Sequence, residues 1–108
     1  TSTPNLTAYM ASKGAILGMT SGLANDLGVY GITVNAVSPG LTRTPGVERD
    51  LADGTLPADA LDQILHLQAI PRSGTPEDIT GLVAFLTGPE AGFITGQFIV
   101  ADGGMTRH

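Results

Sequence analysis

The sequence predicts an α/β domain, or part of one, built on parallel strands. Helix and strand patterns alternate along its 108 residues in the order helix, strand, helix, strand. That order implies parallel strands joined by right-handed crossovers. Both strand patterns are short apolar runs of the kind found in buried strands. The composition agrees: 42% of the residues are hydrophobic and only 14% are charged. A chain of this length buries only about two-thirds of its unfolded surface. Such a balance suits a segment whose faces are covered by a missing half of the same fold or by a partner subunit.

Thr3-Pro4-Asn5 reads as a turn, and a long helix is expected over 7–27. Ile16, Thr20, Leu23 and Leu27 share one face of it at near-helical spacing. Gly14, Gly18 and Gly22 recur every four residues on another face. Each glycine inside a helix costs about 1 kcal/mol against alanine. With Ala11 and Ala15 they form a smooth strip, against which a neighbouring sheet or helix is expected to pack. Gly28 and Gly31 stop the helix, and residues 32–37 form a β-branched strand that leaves through Ser38-Pro39-Gly40.

Residues 41–74 are punctuated by prolines and glycines, with room for one or two short helices. The better candidate runs from Ala58 to Gln68, with Leu61, Ile64, Leu65 and Gln68 on one side. A late helix is expected over 75–87. Thr75 is placed to cap it, Pro76 suits the first turn, and Glu77 and Asp78 favour the positive helix end. Ile79, Leu82, Val83 and Leu86 give it an apolar stripe. Gly88-Pro89 ends it, and a strand over 98–101 leads to Asp102-Gly103-Gly104.

Several function classes are disfavoured. Net charge is −5, and the five basic residues form no stripe, so neither a nucleic-acid nor an acidic-membrane partner is expected. There is no cysteine, hence no disulfide framework, which fits a cytoplasmic protein. No apolar run is long enough to span a bilayer, and no signal peptide is visible. His66 and His108 lack neighbours of metal-ligand type and spacing, so no metal is expected. The chain opens on Thr1 rather than Met, as a processed or cleaved product, or part of a longer chain, would.

Tyr9 and Lys13 lie four apart on one helix face. A free phenol holds its proton up to a pH near 10, too tightly to act as a base at neutral pH. An ammonium about 4 Å away favours the phenolate by roughly 4 kcal/mol at an effective dielectric of about 20. Such a phenol would work as a general acid or base. On spacing alone, the two residues read as an ordinary surface pair.

Context changes that reading. Tyr9-Met10-Ala11-Ser12-Lys13-Gly14-Ala15 resembles the active-site helix of short-chain dehydrogenases/reductases. Asn35-Ala36-Val37-Ser38-Pro39-Gly40, followed by Thr44, resembles the strand and cofactor-side turn of that family. Arg72-Ser73-Gly74-Thr75-Pro76-Glu77-Asp78-Ile79 resembles the start of its late helix. Ile94-Thr95-Gly96-Gln97, closing on Asp102-Gly103-Gly104, resembles its last strand. The four segments stand in the family's order and spacing and cover nearly the whole chain.

The resemblance implies the C-terminal half of a single Rossmann-like domain, a doubly wound parallel sheet of which 1–108 is a part. It implies hydride transfer between NAD or NADP and an alcohol or carbonyl substrate. Tyr9 would be the acid or base on the reacting oxygen, and Lys13 would assist it and hold the nicotinamide ribose. Pro39 and Gly40 would present backbone beside the nicotinamide. Thr42 would offer its main chain, and Thr44 its hydroxyl, to the carboxamide. Residues 45–71 match the family's variable substrate loop. The N-terminal half of the fold is the implied partner, in a homodimer or homotetramer.

Blander roles are expected elsewhere. Ser12 is read as a helix-packing residue, Asn35 as satisfying backbone near the strand, and Asp102 as holding the glycine turn. Ser2 sits too near Tyr9 to be the family's catalytic serine. The family's glycine-rich dinucleotide loop does not occur in the 108 residues, so the segment alone is expected to be inactive. The competing reading is a non-catalytic assembly or interaction module that retains half of the fold.

Overall fold

The computed structural model describes residues 6–107. The turn expected at Thr3-Pro4-Asn5, and the readings of Ser2 and His108, lie outside the described residues. The elements are α1 (Leu6–Leu27), β1 (Ala36–Pro39), α2 (Pro45–Asp53), α3 (Ala58–Leu67), α4 (Glu77–Leu86) and β2 (Phe98–Ala101). Short 3-10 turns follow α1 and α4. β1 and β2 pair in a two-stranded sheet. The Ala36 amide donates to the Gln97 carbonyl, and four residues on, the Gly40 amide donates to that of Ala101. Equal steps in the same direction on both strands make the pairing parallel. The chain is thus α/β with a parallel sheet.

Two compact units divide the chain. One holds the residues up to Ala36 together with Leu86–Ile99; the other holds Val37–Phe85 and the residues from Val100 onward.

In the first unit, α1 ends as its sequence dictates. Gly28–Tyr30 tighten into a 3-10 turn, and Gly31 takes the left-handed conformation at φ 74°, where it donates back to the Gly28 carbonyl. The strand begins at Ala36 rather than at Ile32. The reason is local bonding by side chains. The Val34 amide donates to Thr95 Oγ1 at 2.9 Å, and its carbonyl accepts from the Gly96 amide at 2.7 Å. Asn35 donates through Nδ2 to the Ile94 carbonyl at 3.0 Å and accepts through Oδ1 from the Gln97 amide at 3.1 Å. The 94–97 turn therefore binds residues 34 and 35 before the ladder starts, and Asn35 satisfies backbone as its position predicts.

The buried line of α1 differs from the expected one. Thr20 and Ala24 are 6% and 8% exposed, whereas Ile16 and Leu23 stay exposed. Gly96, at φ 71°, lies against Ala24: a β-carbon there would stand 3.4 Å from the Ala24 methyl. The Thr20 hydroxyl donates to the Ile16 carbonyl and so is not left unpaired. Around Gly14, Gly18 and Gly22 the space is open, and a β-carbon on any of them would meet nothing within 4 Å. Nothing among the described residues packs on this strip.

In the second unit, a parallel bridge joins Thr42 to Gly74 just beyond β1. The Gly74 amide donates to the Leu41 carbonyl at 2.9 Å, and the Arg43 amide donates to the Gly74 carbonyl at 2.8 Å. α2 starts on Thr44, whose hydroxyl accepts from the Val47 amide at 3.2 Å, with Pro45 in the first turn. α3 buries Leu61 and half-buries Ile64, Leu65 and the following Gln68, the side its spacing predicts.

The start of α4 inverts the expected cap. The Thr75 hydroxyl donates rather than accepts: it and the Thr75 N–H both go to the Asp78 carboxylate, at 3.2 and 2.8 Å, while the Thr75 carbonyl accepts from the Asp78 amide at 3.0 Å. This is the return half of a capping box. The two strands expose more apolar surface than buried strands do. Phe98 and Val100 of β2 are exposed, and of β1 only Ala36 is buried.

Candidate active site

Tyr9 and Lys13 occupy successive turns of α1. The Lys13 Nζ lies 5.4 Å from the centroid of the Tyr9 ring, within cation–π range. Tyr9 is 58% exposed. Ser12 points its hydroxyl back to the Tyr9 carbonyl at 2.7 Å, the local bond by which serine satisfies itself within a helix. It is exposed among the described residues.

The other sequence-derived candidates form one continuous turn after β1. Pro39 is exposed, and Gly40 sits against the end of β2. The Thr42 hydroxyl donates to the Gly40 carbonyl at 3.1 Å and closes a small ring over the turn. The bridge to Gly74 uses the groups of Leu41 and Arg43, so the amide and carbonyl of Thr42 face the other way. The Thr44 oxygen accepts from Val47 and keeps its own proton to donate.

A cavity of about 180 Å³ opens beside this turn. Gly40–Thr42 form one wall, Gln68, Ile70 and Arg72 a second, and Ala101–Gly103 a third. It lies at the C-terminal ends of the strands, where open α/β sheets bind ligands.

Two carboxylates near the cavity are held ionised. The Arg72 guanidinium grips Asp78 with two 2.8 Å bonds, and this, with the Thr75 amide, holds the Asp78 carboxyl far below its ordinary range. Asp102 is lowered first by the Thr106 hydroxyl at 2.8 Å; its two oxygens also accept from the Gly104 and Thr106 amides. Asp102 thus holds the glycine turn, as its position predicts. On the first turn of α2, Arg43 holds Glu48 in a two-pronged ion pair. Among the described residues no three metal-ligating side chains gather, and no helix is long and apolar enough to cross a membrane.

Sequence reasoning missed two of these features. Arg72 with Asp78 is a non-helical spacing of six that no periodicity flags. The packing of Gly40 on Asp102 joins residues 62 positions apart. The only available signal for it was a glycine at the end of a strand.

The parallel strands and the likeness to solved Rossmann-fold structures define a Rossmann-like α/β protein, here a partial domain. A family model described as enoyl-(acyl carrier protein) reductase matches residues 1–106, and the chain belongs to this family of short-chain dehydrogenases/reductases.

A probable short-chain type dehydrogenase/reductase of Bradyrhizobium diazoefficiens is 47% identical over 103 residues, 95% of this chain and 35% of the relative. The cyclic-di-GMP-binding biofilm dispersal mediator protein of Escherichia coli K12 is 45% identical over 98 residues, 91% of this chain and 38% of the relative. Among solved structures, a 4-hydroxyisoleucine dehydrogenase mutant complexed with NADH and succinate superposes with a TM-score of 0.83 at 35% identity. The match covers 97% of this chain and 42% of that one. A blue fluorescent protein from a metagenomic library in complex with NADPH gives 0.78 at 41% identity, covering 94% and 38%. The chain therefore spans about two-fifths of the length of these relatives.

Proposed function

We propose that these residues are the C-terminal part of an NAD- or NADP-dependent oxidoreductase acting on an alcohol or carbonyl, with Tyr9 as its acid/base. The observation that carries this is the Tyr9–Lys13 pair, one turn apart on an exposed helix face, in a chain of this family. The solved structures similar to it include complexes with NADH and with NADPH.

The turn after β1 fits the carboxamide of a nicotinamide. That group needs both donors and an acceptor; the Thr42 main chain offers one of each, and Thr44 has a proton to give. The bound nicotinamide would accept or supply the hydride at the reacting carbon. Tyr9 moves the matching proton: its oxygen takes it from the substrate hydroxyl in oxidation and returns it to the carbonyl oxygen in reduction. Lys13, on the next turn of α1, would assist Tyr9 and hold the nicotinamide ribose. The rest of the fold would supply the pyrophosphate loop and cover the open glycine strip of α1, in a homodimer or homotetramer.

A second reading, a non-catalytic binding module, draws on the Escherichia coli relative, whose name states a bound ligand rather than a reaction. One experiment separates the two. In the full-length protein, nicotinamide oxidation is followed with a panel of aldehydes and ketones. Tyr9→Phe should lower turnover by about 10²–10⁴-fold and leave the cofactor dissociation constant nearly unchanged. Lys13→Ala should harm both. Near-normal turnover in Tyr9→Phe overturns the assignment.

A further inference from the structure

The turn that follows β2 is built onto the end of α3. The Ile70 amide donates to the Gly103 carbonyl at 2.8 Å. Arg107 Nη1 donates to the Gly104 carbonyl at 2.7 Å and reaches the Leu67 carbonyl at 3.4 Å. The Gln68 side chain ties the same segment internally, donating to the carbonyls of Ile70 and Arg72 at 2.9 Å.

The fit leaves no room for side chains on the turn. A β-carbon on Gly104 would stand 2.8 Å from that of Ala69, and one on Gly103 would stand 2.8 Å from Gln68 Nε2. Both glycines also have positive φ, 65° at Gly103 and 80° at Gly104. The Asp102 carboxylate fixes the shape of the turn through Gly104 and Thr106. Gln68, Ile70 and Arg72 line the cavity on one side and Gly40–Thr42 on another. The glycine turn thereby sets how far the α3 exit stands from the turn after β1.

We propose that Gly104 is a positioning residue for substrate binding: it seats the segment after α3 and so fixes the substrate-side wall of the cavity. The proposal rests on the oxidoreductase reading above and on residues 45–71 being its substrate loop. Gly104 touches no reacting atom in this scheme. It acts through Ala69 and Ile70, so a change there should alter KM for the substrate far more than kcat.

The test uses the full-length protein and the substrate found in the panel above. Gly104→Ala should raise substrate KM by roughly tenfold, below the hundredfold that a 1 Å displacement can cost. The cofactor dissociation constant should stay near its wild-type value. The double variant Ala69→Gly/Gly104→Ala removes the clashing methyl and should bring KM most of the way back, although the strained φ remains. A double variant with KM no better than Gly104→Ala would show that turn strain alone acts, and would overturn the proposal.

Should Gly104→Ala fail to fold, Arg107→Ala keeps the glycines and drops the bonds to Gly104 and Leu67. It should raise KM with kcat retained, and an unchanged KM would overturn the proposal. A wild-type protein with no nicotinamide-dependent turnover would instead overturn the oxidoreductase reading before any variant is compared.

Discussion

Gly40 and Asp102 touch through their backbones: a β-carbon on Gly40 would lie 2.7 Å from the Asp102 Cα and 2.8 Å from its Cβ. The glycine is therefore required by the second strand end, whatever binds beside it. Gly40→Ala should destabilise the full-length protein by about 1–3 kcal/mol, the usual cost of overpacking where backbone cannot yield. Denaturant melts without cofactor are the check. A loss of cofactor affinity with unchanged stability would instead assign the glycine to the ligand alone.

Thr44 combines a cap with a free proton. Thr44→Ala should cost about 1 kcal/mol through the lost cap of α2, and should also weaken cofactor binding. Thr44→Ser keeps the hydroxyl and should preserve both. Thermal melts with and without cofactor separate the two roles, and equal stability of all three proteins would remove the cap from the account.

The Arg72–Asp78 clamp predicts an acid limb in stability. The folded Asp78 carboxyl is depressed, so its contribution is complete above its unfolded value near 4 and disappears as pH falls below that value toward the native one. Asp78→Asn should flatten the fall of melting temperature over the acid range below about pH 4 and leave the neutral plateau lower. Both residues are largely exposed, so the change should be modest. Thermal melts of the wild type and the variant across the acid range are the check, and parallel acid limbs for the two proteins are the outcome that would count against the clamp.

A polypeptide limited to these 108 residues should self-associate and bind neither NAD(H) nor NADP(H) tightly. Phe93, Val29 and Tyr30 stand well exposed, as do Met10 and Met19 of α1. Two strands alone make a poor sheet, and their free edges invite pairing. Sedimentation with cofactor titration tests this, and a folded monomer binding a dinucleotide tightly would contradict it.

Local signals in the sequence carried much of this structure. Gly28 and Gly31 announce the end of α1 because a left-handed cap needs glycine, and Gly31 takes it. The Ala58–Gln68 periodicity marks the side of α3 that buries Leu61. Asn35 and Asp102 were legible because a polar side chain at a strand or turn boundary must satisfy nearby backbone. The candidate site was legible as segments, since each motif lies within a few consecutive residues. What was not legible depends on long-range partners. β1 starts late because Thr95, some sixty positions on, takes the Val34 amide. α1 buries Thr20 and Ala24, not its larger residues, because it meets a glycine turn at Gly96.

The double tether of Asn35 also bears on chemical ageing. Deamidation proceeds when the next amide nitrogen attacks the side-chain carbonyl and closes a five-membered imide. Here that nitrogen, on Ala36, already donates to the Gln97 carbonyl at 2.9 Å. The Asn35 carboxamide is pinned at its oxygen by Gln97 and at its nitrogen by Ile94. Closing the ring would require loosening these bonds, so this asparagine should outlast one in an unstructured peptide under prolonged storage.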